Sequence, residues 1–531
     1  MKPTQGRYGR RPAQRLPETR QAALFAAPRA AAAPAQGGRG AAEFFDPPPE
    51  AIFLGERPLG EYLEQVGQGW VRQLRVYLRQ LDLSALTKAY QPSGRKPFHP
   101  ALLLGLVLYG MLRRQWSLRD LERLAKLDAG AWWLCGGQQP DHSTIGDFLQ
   151  RHAAVLSEEF FLTLTKDLLR RLHLGPGEAA GDGTVIEAVA SHYHLLRVEA
   201  AREAAQQAQQ AAQATPADRR AAAAAAQAME VARVAAERQA AREETNQPTQ
   251  VRVSPSEPEA VVQHLKNGAS RPAYRPSILA NAERLIVAQR LHPSEESTAV
   301  RPLLKQYQAV CGALPQRLLL DANYHNARVL GLALECNLDL LTPAGRADAG
   351  RWEQRDRQGK FAKHRFHYDG ATDGYLCPAG ERLLYVQQGK DHVGDYRRYG
   401  GANCSGCALR GQCTTAKAGG RTIKRYAADE LKEAMSAVLA DPRARHAYRR
   451  RKTMVEPPFA ALRGGQGLTR FHRRGTAGAA LEFALHCAAY NLRRAISLGS
   501  DRLLLVLFVW RAGQQVRLGL IVAHFEPTGR K

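Results

Sequence analysis

GDGTVIEA, residues 181–188, places one carboxylate between two glycines and directly ahead of an apolar, β-prone run. Glycine lets a backbone or a ligand approach closely, and the interior of a strand does not usually contain two of them. The glycines therefore suggest that Asp182 needs room around its side chain. Asp-Gly is equally a signal for a hairpin turn. On this stretch alone, a turn ahead of a strand over 183–189 is the simpler interpretation.

The chain as a whole is strongly basic. Its 531 residues include 75 Lys and Arg against 50 Asp and Glu, which gives a net charge of +25. Arginine contributes most of the positive charge, and its planar fork is suited to phosphate recognition. We therefore expect a polyanionic partner, with nucleic acid the first choice and an anionic membrane surface the second.

Neither membrane insertion nor secretion is predicted. The longest apolar stretches, 101–112 and 503–510, are shorter than the roughly 20 residues that a spanning helix needs. Eight cysteines in 531 residues do not make a disulfide framework. The sequence predicts a cytoplasmic protein.

The N-terminal part divides into an arm and a helical unit. Residues 1–50 are rich in Arg, Ala, Pro and Gly, which predicts a disordered basic arm. From about residue 53 to 174 the pattern is helical. LLLGLVLYGMLRR (102–114) is apolar almost all round, as in a buried helix, and HSTIGDFLQRH (142–152) has the pattern of a capped helix.

From residue 178 onward the pattern is typical of an α/β domain. Strands are predicted at 183–189, 277–281, 284–291, 317–320 and 338–343, and helices at 300–310 and 327–336 separate the last three strands. An alanine-rich insertion at 200–247 interrupts this order. Alanine gives helix propensity but little core, so we expect a protruding helical hairpin, either a solvated spacer or a surface for a partner.

Two further carboxylates stand in informative places. Asp321, in LLLDANYHN (318–326), follows a predicted buried strand, and ligand sites in α/β sheets favour the carboxyl ends of strands. It could equally be the N-cap of the helix at 327–336. Glu456 is the single acid in the basic stretch 443–474. It is either a solvated ion-pair partner or an oxygen ligand for a hard cation beside phosphate-binding arginines.

Together these motifs resemble the Asp-Asp-Glu (DDE) transposases of insertion sequences, which have a ribonuclease-H-like core. DGTVIEA (182–188) resembles the first motif of that family and LLLDANYHN (318–326) the second. RKTMVEPPFAALRG (451–464), with FHRRG (471–475) and AAYNLRR (488–494), resembles the third. The helical stretch from FHPALLLG to DHSTIGDF resembles the N-terminal domain that these transposases share. The likeness covers most of residues 90–495.

The resemblance implies a site, a reaction and partners. Asp182, Asp321 and Glu456 would hold two Mg²⁺ (or Mn²⁺) ions, with Asp182 bridging them, for in-line cleavage and strand transfer of DNA. Double-stranded DNA, as element ends and target, would be bound by a homodimer or larger assembly in a bacterial cytoplasm. The residues expected to contact DNA are basic and surround Glu456 in sequence: Arg449, Arg450, Arg451, Lys452, Arg463, Arg470, Arg473 and Arg474.

The sequence departs from the family pattern at several positions. Asn323 stands where the family prefers Gly, Lys452 where it usually has Arg, and Arg463 where it usually has Lys. The family tyrosine is matched by Tyr448 only with a shift of one residue. Pro457 and Pro458 directly follow Glu456, and a residue before proline is pushed away from the helical region.

Four of the cysteines form a separate motif. Cys377, Cys404, Cys407 and Cys413 include a C-x₂-C pair, a chelating spacing for tetrahedral Zn²⁺. We expect one structural zinc ion, with free thiols or a redox pair as the alternatives. Cys135, Cys311, Cys336 and Cys487 lie in apolar helical contexts and are expected in the core.

The predicted fold is α/β: a ribonuclease-H-like mixed sheet, an all-helical N-terminal domain, an alanine-rich helical insertion and a small four-cysteine insertion that resembles a zinc ribbon. Two alternatives to an active transposase remain open, namely a catalytically inactive, transposase-derived DNA-binding protein and a zinc-ribbon nucleic-acid adaptor. The predicted divisions are an arm (1–50), a helical DNA-binding domain (51–174), a first core strand region (175–199), the alanine-rich insertion (200–250), the core (251–345), the four-cysteine insertion (346–425), C-terminal catalytic helices (426–500) and an extension (501–531).

Overall fold

The computed structural model describes residues 42–91, 96–244, 250–265, 268–344, 359–391, 393–401, 404–416 and 419–513, with side chains to 499. Residues 1–41 of the predicted arm and 514–531 of the predicted extension lie outside the described residues. The prediction of a free arm is wrong for residues 42–50, which pack on the helical unit. The backbone N–H of Phe45 donates to Pro97 O, and Asp46 forms an ion pair with Arg75 at 2.8 Å.

The N-terminal part is helical, as predicted. A short hairpin, β1 (Phe53–Leu54) and β2 (Arg57–Pro58), precedes the first helix. Its central helix is buried at nearly every position because its sequence is apolar almost all round. Side chains of Ser117 and Asp141 cap two of the helices that follow. The helices are α1 (Leu59–Gln65), α2 (Trp70–Gln80), α3 (Ser84–Thr87), α4 (Pro100–Leu112), α5 (Leu118–Leu127), α6 (Ala129–Cys135), α7 (His142–Arg151) and α8 (Phe160–Arg171).

The middle of the chain forms a mixed sheet whose element order matches the prediction from residue 270 onward, whereas the strand at Val261–His264 was not predicted. Its strands are β3 (Glu178–Gly183), β4 (Ile186–Glu187), β5 (Val261–His264), β6 (Ser270–Asn281), β7 (Ile286–His292), β8 (Arg317–Leu319) and β9 (Leu340–Leu341). The strands β7, β6 and β3 are successive antiparallel neighbours, and β8 and β9 continue the sheet in parallel beyond β3. Helices α11 (Val300–Cys311) and α12 (Ala327–Glu335) connect β7 to β8 and β8 to β9.

The strand around Asp182 differs from the prediction. The strand occupies 178–183 rather than 183–189, so Asp182 lies near its end and not in a hairpin turn. Small residues suit this central position, and Ala180 is fully buried between two neighbouring strands. The glycines do not leave space for DNA. A Cβ on Gly181 would collide with Leu320, and a Cβ on Gly183 would collide with the carboxyl group of Glu296.

The alanine-rich insertion forms two paired helices, α9 (Val198–Ala214) and α10 (Arg219–Glu244). They share a small core of their own, separate from the main one. Its buried residues are Val198, Ala201, Val231, Val234, Ala235, Val251 and Val253. The pair is therefore held by a few valines from α9, α10 and the segment that follows them, because alanine alone buries little apolar surface.

A second, antiparallel sheet contains the cysteine motif. Its strands follow one another in sequence order: β10 (His367–Asp369), β11 (Gly374–Leu376), β12 (Arg382–Asp391), β13 (Gly394–Gly401) and β14 (Thr422–Tyr426). The short helix α13 (Arg410–Cys413) lies between the last two strands. Tyr375, Leu383, Tyr399 and Ile423 form its buried core together with Phe361 and Phe366.

Three C-terminal helices complete the described chain: α14 (Asp429–Ala440), α15 (Pro442–Ala460) and α16 (Gly475–Gly513). Helix α16 joins the N-terminal helices and the mixed sheet in one hydrophobic core. Trp116 stacks on His472 with ring centroids 4.8 Å apart, and its indole N–H donates to the buried Glu482. None of the described helices is both long and apolar enough to cross a membrane.

The AAYNLRR motif on α16 secures the edge strand β7. Asn491 is fully buried, and its amide donates to Ile286 O at 2.7 Å while its Oδ1 accepts from Ile286 N at 2.9 Å. Tyr490 donates its hydroxyl to Arg284 O at 2.7 Å. These side chains satisfy the backbone groups that an edge strand would otherwise leave unpaired.

We expect Asn491→Ala to lower the free energy of unfolding by about 3 kcal/mol, because it leaves the amide and carbonyl of Ile286 buried without partners. Chemical denaturation of the full chain measures this. Arg493→Ala, an exposed change on the same helix, is the control and should alter stability by less than about 0.5 kcal/mol. Equal stability of the two variants would contradict the role given to Asn491.

Candidate active site

Two of the predicted carboxylates meet at one edge of the mixed sheet. Strands β3 and β8 are parallel neighbours, with Ala180 paired to Leu319. Asp182 lies near the carboxyl end of β3, and Asp321 follows β8 after one residue. Both side chains therefore emerge at the same edge of the sheet, as the prediction requires.

The guanidinium of Arg451, from α15, lies between the two aspartates. Its Nη2 is 3.1 Å from Asp182 Oδ2 and 3.8 Å from Asp321 Oδ2. The Arg451 side chain is only 8% exposed, against 23% and 25% for the aspartates. A single buried cation thus holds two partly buried carboxylates together.

The electrostatics of this pair favour a further positive charge. Burial raises the pKa of Asp182 above its usual range, and repulsion from Asp321 adds to the rise while Arg451 opposes it. Two carboxylates facing one guanidinium leave an excess of negative charge. A cation bound there would lower the pKa of Asp182 and remove the repulsion.

Arg451 itself is incompletely bonded. Its Nε and Nη2 are buried and make no hydrogen bond of good geometry within the described residues, although Nη2 has the two ionic contacts. A buried charge is costly unless it is both paired and hydrogen-bonded. Arg451 is therefore held at the aspartates mainly by charge.

The side chain of Asp321 is oriented by its own loop. It caps the 3₁₀ turn Ala322–Tyr324 by accepting from Asn323 N at 2.9 Å. The capping alternative is wrong for the following helix, since Asn326 caps α12. Asn323 does not have a positive φ in the described chain, so it does not substitute for glycine. Its backbone and amide nitrogens instead both face the Asp321 carboxylate.

Glu456 lies inside α15, which continues through Pro457 and Pro458. The expectation that these prolines would push Glu456 out of helical geometry is wrong. Pro457 has no N–H for the carbonyl of Thr453, and the Nε of Arg284 donates to that carbonyl at 3.1 Å instead. An arginine from the β6–β7 turn thus replaces the missing helical hydrogen bond.

Two arginines, one before and one after Glu456 in the chain, contact the region of β3. Arg451, which precedes Glu456, forms an ion pair with Asp182. Arg463, which follows Glu456, donates to Thr184 Oγ1 and to Val185 O. Glu456 itself is exposed, and no described contact joins it to either aspartate. The structure brings Asp182 and Asp321 together directly, and brings the helix of Glu456 alongside them.

The basic residues of 449–474 divide into four groups. Arg451 is buried against the aspartates, whereas the neighbouring Lys452 is exposed and does not contact them. Arg450, Arg463 and Arg470 bind the segment 178–190, through Glu178, Thr184 and the carbonyl of Ala188. Burial lowers the pKa of the half-buried Arg473. The exposed remainder is Arg449, Lys452 and Arg474.

A further buried carboxylate at the end of β3 was missed in the sequence. Glu296 lies against Gly183 and forms an ion pair with Arg275 at 3.2 Å. In the sequence it is one of two adjacent glutamates ahead of a helix, a pattern that usually marks an exposed helix start. No local sequence signal identifies Glu296, because its burial depends on the space that Gly183 leaves in the folded chain.

The four motif cysteines line one small cavity of about 30 Å³, together with Phe361, Phe366 and Leu409. Burial raises the pKa of Cys413, and the other three cysteines add to the rise, so the four thiols lie within electrostatic reach of one another. Of the remaining cysteines, Cys135 and Cys487 are buried, and Cys311 and Cys336 pack against the core.

Neither the aspartate pair nor the four motif cysteines form a complete set of metal ligands in the described chain. Within the described ranges, no three His, Cys, Asp or Glu side chains are arranged to hold a metal ion. The donor chemistry nevertheless suits cations: paired carboxylates are ligands for hard divalent ions, and four thiols suit zinc. At the aspartates, the positive charge is supplied by the guanidinium of Arg451.

Two family models match the chain. A model for a transposase domain (DUF772) matches residues 70–151, and a model for a transposase DDE domain matches residues 376–496. The second range contains Glu456 and the four motif cysteines, whereas Asp182 and Asp321 lie outside both ranges. No curated protein matches the chain. The helical unit and the basic C-terminal helices thus each match a transposase domain, which supports the resemblance of the sequence motifs to the DDE transposases of insertion sequences.

Proposed function

We propose that this protein is a transposase that cleaves DNA at the ends of its element and transfers the strands in a reaction that depends on a divalent metal ion. The observation that carries the proposal is the convergence of Asp182 and Asp321 on one buried cationic group. Both emerge from neighbouring parallel strands, and the helix that supplies the cation also carries Glu456. A site with these groups can bind cations and phosphate side by side.

Asp182, Asp321 and Glu456 are the residues proposed to hold Mg²⁺ or Mn²⁺. Bound there, a pair of such ions would supply activation of the attacking hydroxyl and stabilisation of the leaving oxygen in an in-line displacement. The chemistry of the donor set supports this, since the aspartates repel one another and need positive charge between them. No lysine or histidine base is required.

Arg451 and Arg463 have a second task in this proposal. Each lies beside Asp182 and is already desolvated in part, so each can neutralise a phosphate oxygen at the cut without a large reorganisation. With a metal ion held by the aspartates, the guanidinium of Arg451 would be available to the DNA backbone. Phosphate recognition by an arginine fork is bidentate and directional.

The remaining finer proposals follow the same arrangement. The mixed sheet is proposed to be ribonuclease-H-like, which its order of three antiparallel strands followed by two parallel ones supports. We propose that α1–α8 bind double-stranded DNA, that a homodimer or larger assembly acts on it, and that the four motif cysteines hold one structural zinc ion. The paired helices α9 and α10 are proposed to be an insertion in the core.

We expect Asp182→Asn to abolish metal-dependent cleavage of DNA carrying the element's own ends. The amide keeps the shape of the carboxylate but loses the charge that binds the ion. DNA affinity should stay within about twofold, because Asp182 makes no phosphate contact in the proposal. Cleavage is mapped on end-labelled DNA with Mg²⁺ and with a chelator.

The control is Asp339→Asn, an exposed aspartate that pairs with Arg317 on the same sheet; it should cut as the wild type does. Cutting by Asp182→Asn at the wild-type rate would remove Asp182 from the site. A wild type that binds DNA but does not cut it would favour an inactive DNA-binding protein.

We expect the exposed basic residues Arg449, Lys452 and Arg474 to contact phosphates. Their joint replacement by Ala should flatten the dependence of log K on log salt by up to about 0.9 per lost contact on duplex DNA. The effect should not depend on sequence, because phosphates carry no base identity.

The matched control replaces three exposed basic residues outside α1–α8 and away from Glu456 in sequence, Arg290, Arg301 and Lys305. Binding is measured by fluorescence anisotropy across a salt series. Equal slopes in the two triple variants would mean that the basic face near Glu456 meets only counterions and that the DNA lies elsewhere.

We expect the purified chain to contain about one zinc ion, and Cys404→Ser with Cys407→Ser to lose it, since four thiolates complete a structural zinc site. Elemental analysis of protein prepared under reducing, chelator-free conditions measures this. Cys336→Ser, outside the motif, should keep the metal. Wild-type protein without zinc would leave the free-thiol alternative.

A further inference from the structure

A cleft of about 500 Å³ lies between the helical unit and the start of helix α16, and neither aspartate of the candidate site lines it. Its volume is within the range of about 300–1,000 Å³ that is usual for ligand pockets. The rim includes Leu118 and Arg119 at the start of α5, and His472, Arg473 and Arg474 ahead of α16. Four buried apolar side chains line the interior: Val107, Met111, Leu149 and Leu485.

Three arginines at this cleft have no acceptor for their guanidinium groups. In the part of the chain that the structure describes, Arg119, Arg473 and Arg474 form neither an ion pair nor a side-chain hydrogen bond. Burial lowers the pKa of Arg473, and the negative charge of Glu482 opposes this effect. Water therefore solvates Arg473 incompletely, and an anion in the cleft would supply the missing acceptor.

A buried carboxylate fixes the chain around the cleft. Glu482 is 1% exposed, and its oxygens accept from the indole N–H of Trp116 at 2.8 Å and from the backbone N–H groups of His472 and Arg473 at 2.9 Å. Glu482 thus holds the backbone of this segment and forms no ion pair with the guanidinium of Arg473. Because the backbone is held in this way, the cationic side chains need little ordering when a ligand binds.

The lining suits a ligand that has both an apolar and an anionic part. A phosphate group alone would use the arginines but not the apolar interior. The bases of a regular duplex are paired and stacked, so they cannot enter a cleft of this size. An unpaired nucleotide combines a base, which apolar side chains can cover, with a phosphate that an arginine fork recognises.

We propose that this cleft binds one unpaired nucleotide, with its phosphate at Arg119, Arg473 and Arg474 and its base against the apolar lining. The nucleotide either belongs to a DNA strand or is a free nucleotide, since the chemistry of recognition is the same. The strand-bound form rests on the proposed function, because it requires that the chain binds DNA. No metal ion takes part in this inference.

The test compares two DNA ligands and one free nucleotide, without metal ions, on the full chain. Fluorescence anisotropy measures binding of a blunt duplex and of the same duplex with one unpaired nucleotide at an end. Calorimetry measures binding of 2′-deoxyadenosine 5′-monophosphate. The variants are Arg119→Ala with Arg473→Ala, which removes cations, and Leu118→Trp, which fills the cleft and leaves every charge in place. The control is Arg123→Ala, an exposed arginine of α5 that pairs with Asp120.

The wild type should bind the duplex with the unpaired nucleotide about tenfold more tightly than the blunt duplex, because covering one base contributes about that much. Leu118→Trp should lose this preference and keep the affinity for the blunt duplex. The double arginine variant should lose the preference as well, and Arg123→Ala should keep it. Thermal unfolding shows which variants are folded, and the double arginine variant decides the test if Leu118→Trp does not fold.

Each outcome separates the cleft from the proposed function. If the two duplexes bind equally and the monophosphate does not bind, the inference is overturned and DNA binding stands. If the duplexes bind equally but the monophosphate binds to the wild type and not to the cleft variants, the ligand is a free nucleotide. A preference that the cleft variants retain would place the unpaired nucleotide elsewhere and would also overturn the inference. A wild type that binds neither duplex contradicts the proposed function, and the monophosphate then decides the inference alone.

Discussion

The ion pair of Arg451 with Asp182 and Asp321 is the interaction on which the rest of the site depends. It joins strand β3, the loop after β8 and helix α15 at one point. Two carboxylates at a sheet edge would repel one another, and the buried guanidinium holds them in place. The same group brings the helix of Glu456 against the sheet, so one arginine fixes the relative position of all three motifs.

The contacts around this ion pair extend it into a seam. The basic segment from Arg450 to Phe471 follows the chain from Glu178 to Ala190, through ion pairs, side-chain donors to carbonyls, and backbone bonds between Glu187 and residues 469 and 471. Several arginines in this stretch therefore have structural partners, and only the exposed ones are free for a polyanion without rearrangement. The number of basic residues in this stretch is therefore larger than the number available to bind a polyanion.

The sequence predicted most of the element order from local apolar runs, and the meeting of Asp182 and Asp321 followed from the resemblance of their motifs to the transposase motifs. It misplaced β3, since an alanine- and glycine-rich strand has no β propensity and is specified by its neighbours. It also misread both glycines, whose space is taken by Leu320 and Glu296. Three features depend on tertiary contacts and have no local sequence signal: the burial of Glu296, the hydrogen bond from Arg284 that compensates for Pro457, and the inward orientation of Arg451.

The most direct measurement is a crystal structure of the full chain grown with Mn²⁺, with the ion located by its anomalous scattering. We expect Mn²⁺ in direct contact with carboxylate oxygens of Asp182 and Asp321, with the Arg451 guanidinium moved from between them. An Arg451 still bridging the aspartates, with no Mn²⁺ at their carboxylates, would contradict it.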